Sequence, residues 1–207
     1  MWTDFFDKIL VINLPSRTDR LLQIAEELYK WGIPYELVNA TPHENGAEGL
    51  RITVEKIFRD AVAANLKSVL IFEDDAMFVD SCGNPNDTME QVVKQLPPTW
   101  QILYLGAQCT NGFKAKPTSN LLLLDMAFAT HAWAISLDGM KEILSAGLEA
   151  PIDNSVVKTV QPRGHTYITH PLLCTQRPGY SDIGRTEINW QPFIEQRYYQ
   201  KFSESNL

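Results

Sequence analysis

The sequence lacks long apolar runs, glycine- or serine-rich tracts and internal repeats, and it has little cysteine. Its longest wholly apolar stretches fall far short of the ~20 residues that cross a bilayer, so no membrane span is expected. The three cysteines, Cys82, Cys109 and Cys174, are widely spaced and odd in number, which argues against a disulfide framework or a Cys-x-x-Cys metal site. Positive charge is also short: 18 Lys and Arg stand against 25 Asp and Glu, a formal charge of -7. With no Lys/Arg cluster, that balance argues against a nucleic-acid partner. The opening "MWTDFFDK" carries two acids before any basic residue and does not read as a signal peptide. A cytoplasmic location is the expectation, with peripheral membrane contact and oligomeric state left open. No linker composition interrupts the chain, which predicts a single domain over 1–207.

What is present is an alternation of short β-branched runs and amphipathic segments. "KILVIN" reads as a strand stopped by Pro15. Ser16 and Asp19 have capping-box spacing, and Leu21, Ile24, Ala25 and Leu28 then share a helical face. "YELVNAT" is a second strand. After a polar loop, Ile57, Phe58, Ala61 and Val62 mark a second helix. "VLIFEDDAMF" follows as a strand tipped with acids, then a helix in "NPNDTMEQVVKQLPP" and a strand in "WQILYLGA". In the second half "NLLLLDM" and "HAWAIS" are strand-like neighbours, "LDGMKEILSAG" is a helix, and "HTYITHPLLCTQ" returns to strand. This order predicts an α/β fold with a mixed, largely parallel sheet flanked by helices. The expected parts are a nucleotide-binding half over 1–106, an acceptor half over 107–189 and a C-terminal helix over 190–207. In that helix Trp190, Phe193, Ile194 and Tyr198 share a face suited to docking on the core.

Glu73, Asp74 and Asp75 pose the chemical question. Three adjacent carboxylates repel one another and persist beside a core strand only when solvated or when something positive is brought to them. On an extended backbone Glu73 and Asp75 would face one way and Asp74 the other. Such an oxygen-rich strand end suits a hard divalent cation, Mn²⁺ or Mg²⁺, and equally suits a solvated acidic turn. In open α/β sheets ligands bind beyond the carboxyl ends of the strands, which brings "PSRTDR" and "EDD" toward one crevice.

The ordered motifs resemble those of glycosyltransferase family 25. "VINLPSRTDR" is similar to that family's opening I-N-L-x-x-R-x-x-R element, and "VLIFEDDA" to its central acidic motif. The resemblance continues through "YLGA", "ATHAWAISLDGMKEIL", "PID" and "HPLLCTQRPGYSDI", covering roughly residues 8 to 183. It implies a GT-A-type (Rossmann-like) fold, a UDP-sugar donor, a divalent metal and inversion at the anomeric carbon. The family includes lipooligosaccharide and collagen galactosyltransferases, so the implied partners are a nucleotide sugar and a glycan or glycolipid acceptor. One element departs from the family pattern. Aligned on Gly49, Leu50 stands for a Cys, Thr53 for a Ser and Val54 for a His.

Within that resemblance Asp75 is the leading metal ligand, and His170 a late histidine of the kind GT-A enzymes recruit. Glu73 and Asp74 are placed on metal, ribose or donor sugar. Arg17 and Arg20 are candidates for the nucleotide diphosphate, since a planar guanidinium suits it, or for a pairing with Asp19 or Glu26. Asn13 is a candidate for the base. Asp153 is the candidate general base, with helix capping as its structural alternative. Asp182 is the second candidate base, and His131 is read as orienting a loop. A metal-dependent nucleotidyltransferase and a non-catalytic nucleotide- or glycan-binding module are the rival functions.

Overall fold

The computed structural model describes residues 2–205. A short helix α1 (Trp2–Phe5) leads into β1 (Lys8–Asn13), which is buried after its first residue. The next elements are α2 (Thr18–Lys30), β2 (Glu36–Asn39), α3 (Gly46–Ala63) and β3 (Ser68–Glu73). The Ser16–Asp19 capping box is not formed. Arg17 takes the N-cap position without a side-chain cap and instead grips the Asp19 carboxylate through Nε (3.0 Å) and Nη2 (2.9 Å). Ile24 and Leu28 bury one face of α2, as their spacing predicts.

β4 (Ala76–Phe78) and α4 (Pro85–Gln95) follow, the helix capped by the Asn84 side chain on the Asn86 amide. Two long strands, β5 (Ile102–Thr118) and β6 (Leu121–Ser136), form a bulged hairpin. β6 fuses the two runs read as separate neighbours, and the 106/107 border falls inside β5. Ser136 caps α5 (Leu137–Ala146) by accepting from the Gly139 amide at 3.2 Å. The chain ends with α6 (Ile152–Thr159), β7 (Thr166–Thr169), β8 (Cys174–Gln176), β9 (Gly179–Ser181), β10 (Thr186–Ile188) and α7 (Gln191–Glu204).

The main sheet has the order β2-β1-β3-β6-β5-β7. All its strands run the same way except β6, which is antiparallel to β3 and β5. The sheet is therefore mixed and largely parallel. From β1 the chain steps outward to β2 and then back across to β3. Right-handed crossovers place α2 and α3 on opposite faces and leave a switch point beyond the ends of β1 and β3. The core centres on Trp133, stacked on Tyr104 (6.4 Å between rings) with Phe58 edge-on at 6.0 Å. In α7, Ile194 and Tyr198 are buried, whereas Trp190 and Phe193 stay partly exposed, so only half of the expected apolar face docks.

Candidate functional site

Glu73 ends β3, and Asp74 and Asp75 form the tight turn into β4, which leaves the main sheet to pair with β8. That turn overrides the extended alternation expected of the acids. Asp74 and Asp75 face a single guanidinium: Arg20 Nη1 donates to Asp74 Oδ1 (2.8 Å) and to Asp75 Oδ2 (3.1 Å). Gln176 Nε2 also donates to Asp75 Oδ2 at 3.0 Å, while Asp75 Oδ1 is buried without a partner. Burial, and then the charge of Asp75, push the Asp74 carboxyl up to about 6 against the pull of Arg20.

Both candidate diphosphate arginines are thus engaged by protein groups. Arg20 Nη2 donates to the Tyr180 carbonyl at 2.7 Å. Arg17 bridges Asp19 and Asp182, the latter at 2.5 Å. The β9–β10 hairpin is held by these contacts over a cleft of about 410 Å³. Arg20, the three acids, His43 and Asp182 are among the side chains lining it. Asn13 is buried and turned into the protein, Nδ2 donating to the Leu14 carbonyl, and it does not line the cleft.

A second cavity of about 240 Å³ adjoins the first, lined by Thr130, His131, Asp153, Phe128, Ile188 and Trp190 among others. Leu50, Glu73, Gln176, Ser181 and Ile183 belong to both walls. Asp153 does not cap α6. Pro151 is the N-cap, and Asp153 sits in the first turn with Oδ1 buried and unpartnered. Burial pushes its carboxyl up to about 6, with the nearby Thr130 hydroxyl and Ala129 amide pulling the other way. Glu73 is held well above the usual carboxylate range by burial and by the charges of Asp75 and Asp153. Its Oε1 accepts from Thr130 Oγ1 at 2.9 Å. Burial lowers the His131 imidazole to about 4 against the opposing charge of Asp75, and both ring nitrogens lack partners.

The fold therefore brings Arg20, Glu73, Asp74, Asp75 and Asp182 around one cleft and Asp153 into the adjoining cavity, while Arg17 does not line the cleft and is tied to Asp182 at its wall. Asp182 lines the first cleft and is tied to Arg17 at 2.5 Å, while its neighbours Ser181 and Ile183 reach the wall of the Asp153 cavity. His170 is not brought to the acids. It lies beyond β7, its Nδ1 2.7 Å from the Tyr198 hydroxyl and its ring 4.3 Å from that of Phe202, because α7 packs over it. Among the described residues no cluster of three or more His, Cys, Asp or Glu is arranged to hold a metal ion. Asp75 Oδ1 is the one orphaned carboxylate oxygen at the acidic turn, and it fits a single protein ligand to a hard cation. Of the positions that depart from the family pattern, Val54 is buried in the core and lines neither cavity, whereas Leu50 lines both. Thr130 was missed by sequence reasoning, although it lies inside the quoted "ATHAW" segment. Nothing in a lone threonine marks it as the hydrogen-bond partner of Glu73.

No protein-family model matches the chain. Procollagen galactosyltransferase 2 of Homo sapiens is 24% identical over 238 aligned residues, covering 89% of this chain and 38% of that protein. Procollagen galactosyltransferase 1-A of Xenopus laevis is 25% identical, covering 68% of this chain and 28% of its own length. Inactive glycosyltransferase 25 family member 3 of Homo sapiens is 23% identical, covering 68% and 29%. The chain thus spans less than two fifths of the length of these curated relatives. Among solved structures, a glycosyltransferase involved in the glycosylation of the major capsid of PBCV-1 superposes with a TM-score of 0.54 at 16% identity, over 86% of this chain and 95% of that one. UDP-glucose pyrophosphorylase complexed with UDP-glucose gives 0.50 at 11% identity, over 94% and 98%. In fold the chain is GT-A-like, and in sequence it is similar, at 23–25% identity, to procollagen galactosyltransferases and a glycosyltransferase 25 family member.

Proposed function

We propose that this chain is a hexosyltransferase that moves galactose or glucose from a UDP-sugar to a hydroxyl of a glycan or glycolipid, with inversion. The observation that carries this reading is the pair of adjoining cavities that meet at Glu73. One holds the acids and arginines at the sheet's switch point, and the other holds a buried, unpartnered carboxylate oxygen on Asp153. The first suits a nucleoside diphosphate. The second, narrow and walled by Phe128, Ile188 and Trp190, suits the ring of an acceptor sugar. The names of the relatives support a galactose donor.

Asp153 would accept the proton of the attacking hydroxyl. Its raised pKa, about 6, makes it a stronger base than an ordinary aspartate while leaving it mostly ionised at pH 7. Arg17 and Arg20 would meet the diphosphate once they exchange their present carboxylate and carbonyl partners for it. Asp75 would hold Mn²⁺ or Mg²⁺ through Oδ1, with phosphate oxygens and water completing the shell. A cation bound there supplies Lewis-acid stabilisation of the charge that departs with the diphosphate. The acceptor hydroxyl, entering from the Asp153 side, would then attack opposite the leaving group.

The fold shared with UDP-glucose pyrophosphorylase supports a second reading, a nucleotidyltransferase attacking the α-phosphorus. The similarity to an inactive family member supports a third, a binding module without turnover. Two incubations with Mn²⁺, one of UDP-galactose with a panel of glycans and one of UTP with a sugar phosphate, separate the three. Release of UDP supports the transferase. Formation of pyrophosphate from UTP and a sugar phosphate supports the nucleotidyltransferase. Metal-dependent binding without either product supports the module.

A further inference from the structure

The β9–β10 hairpin forms a two-stranded sheet of its own, and its residues Ser181 and Ile183 belong to the walls of both cavities. A two-stranded ribbon is marginal by itself, so this one depends on what it touches. At the start of α2, Arg17 Nη1 donates to Asp182 Oδ2 at 2.5 Å and Arg20 Nη2 to the Tyr180 carbonyl at 2.7 Å. At the start of α3 the hairpin is seated against backbone. A Cβ on Gly46 would come within 3.0 Å of the Asp182 carbonyl oxygen and 3.1 Å of the Ile183 Cα. Arg185 adds a hydrogen bond to the Glu44 carbonyl.

All three guanidinium nitrogens of Arg17 are engaged: Nε and Nη2 by Asp19, and Nη1 by Asp182 and, at 3.3 Å, by the Tyr180 carbonyl. Asp182 lines the large cleft, whereas Arg17 does not and lines a separate cavity of about 250 Å³. A diphosphate lying in the cleft therefore meets the Asp182 carboxylate before the guanidinium that Asp182 occupies. Two anions that need the same N–H groups repel each other and compete. Resting on the proposed role of Arg17 and Arg20 in donor binding, we propose that Asp182 is an autoinhibitory anion. In the resting chain it holds the nitrogen that the diphosphate needs, and donor binding displaces it and frees the hairpin. The freed hairpin withdraws Ser181 and Ile183 from the wall of the second cavity, so the acceptor site widens only once the donor is in place.

The test is hydrogen exchange across residues 179–188 of the full chain, read by mass spectrometry, with calorimetric UDP binding alongside. The probe is UDP with Mn²⁺. The variants are Asp182→Asn and Asp19→Asn, the second removing the other carboxylate on Arg17 without touching the hairpin. In the wild type, UDP with Mn²⁺ should speed hairpin exchange by ~10-fold, because the released ribbon cannot hold its own ladder. Without ligand, Asp182→Asn should speed it by ~2- to 5-fold and tighten UDP binding by a similar factor, the worth of one partly exposed ion pair. Asp19→Asn should leave hairpin exchange at the wild-type rate, which separates release of the hairpin from mere loss of a negative charge. Slower hairpin exchange on UDP binding, with Arg17→Ala still weakening UDP, would make the hairpin a lid that closes and overturn the proposal while sparing the donor site. Wild-type exchange in ligand-free Asp182→Asn would overturn the latch. Absence of UDP binding in both the wild type and Asp182→Asn would bring down the donor reading and the proposal together.

Discussion

Arg20 and Asp75 form a nearly solvent-free ion pair, Nη1 to Oδ2 at 3.1 Å with side chains 12% and 9% exposed. The same nitrogen serves Asp74, so one guanidinium answers the repulsion built into the acidic turn. Removing it leaves two buried carboxylates uncompensated. Arg20→Ala should therefore cost about 3–5 kcal/mol in urea denaturation at pH 7. The loss should shrink at pH 5, where Asp74 takes up a proton. An equal loss at both pH values would show that packing, and not charge, was removed.

Asp75→Asn tests the cation. The variant should lose Mn²⁺-dependent UDP binding in calorimetry, while the metal-free melting temperature stays near or above wild type, since Arg20 keeps Asp74 and one like-charge repulsion is relieved. UDP binding with unaltered affinity and metal dependence would remove Asp75 from the role.

Arg17→Ala should weaken UDP binding by about 10- to 150-fold, the ~1.5–3 kcal/mol of a charge-assisted hydrogen bond, and Arg20→Ala should do the same under conditions where it is folded. Wild-type affinity in both would make the first loop purely structural, serving only to tie the β9–β10 hairpin down.

Asp153→Asn carries opposite signs for stability and transfer. The folded chain keeps the Asp153 proton up to about pH 6, whereas the unfolded chain releases it near the ordinary value of 3.8. Between those values the folded state binds more protons, so this group's contribution to stability falls as pH rises and is lowest above 6. At about 1.4 kcal/mol per pH unit the cost amounts to at most about 3 kcal/mol. The Asn variant should match wild type at pH 4 and exceed it by up to that amount at pH 7.5, yet lose ~10²–10⁴-fold in transfer. Matched urea melts at the two pH values check the first part. A variant no more stable at pH 7.5 than at pH 4, relative to wild type, would contradict the buried-charge account.

His170→Ala should leave UDP and Mn²⁺ binding intact and lower stability by about 0.5–1.5 kcal/mol for the lost hydrogen bond to Tyr198, with more for the ring packing against Phe202. Loss of metal dependence instead would return His170 to the site.

The apolar runs of β1 and β3 and the periodicity of α2 and α3 were readable because each is set by local pattern. The crevice after β1 and β3 was readable because strand order dictates it. What pattern could not convey was pairing. β5 and β6 run long through bulges that break strict alternation, so β6 read as two strands. The acids looked extended because nothing in "EDDA" announces that β4 turns away toward β8. His170 looked available because the Tyr198 that occupies it lies on the far end of the chain. Asp153 was found through its motif, but the burial of its Oδ1 without a partner depends on packing between distant elements that no sequence signal conveys.

The hairpin of β5 and β6 also predicts an order of assembly. Joined by a tight turn, it is, among the described residues, the long pairing in the main sheet that closes without a large loop, whereas β1 must find Glu36 and then Val69 across helices. Contacts local in sequence carry the smaller closure entropy and tend to form early. The hairpin should thus be the nucleus, with high φ-values in β5 and β6 and low ones in β1 and β2. The wall that bears Thr130 would then stand before the nucleotide half docks, and Glu73 would meet its hydroxyl only in the last stage of folding.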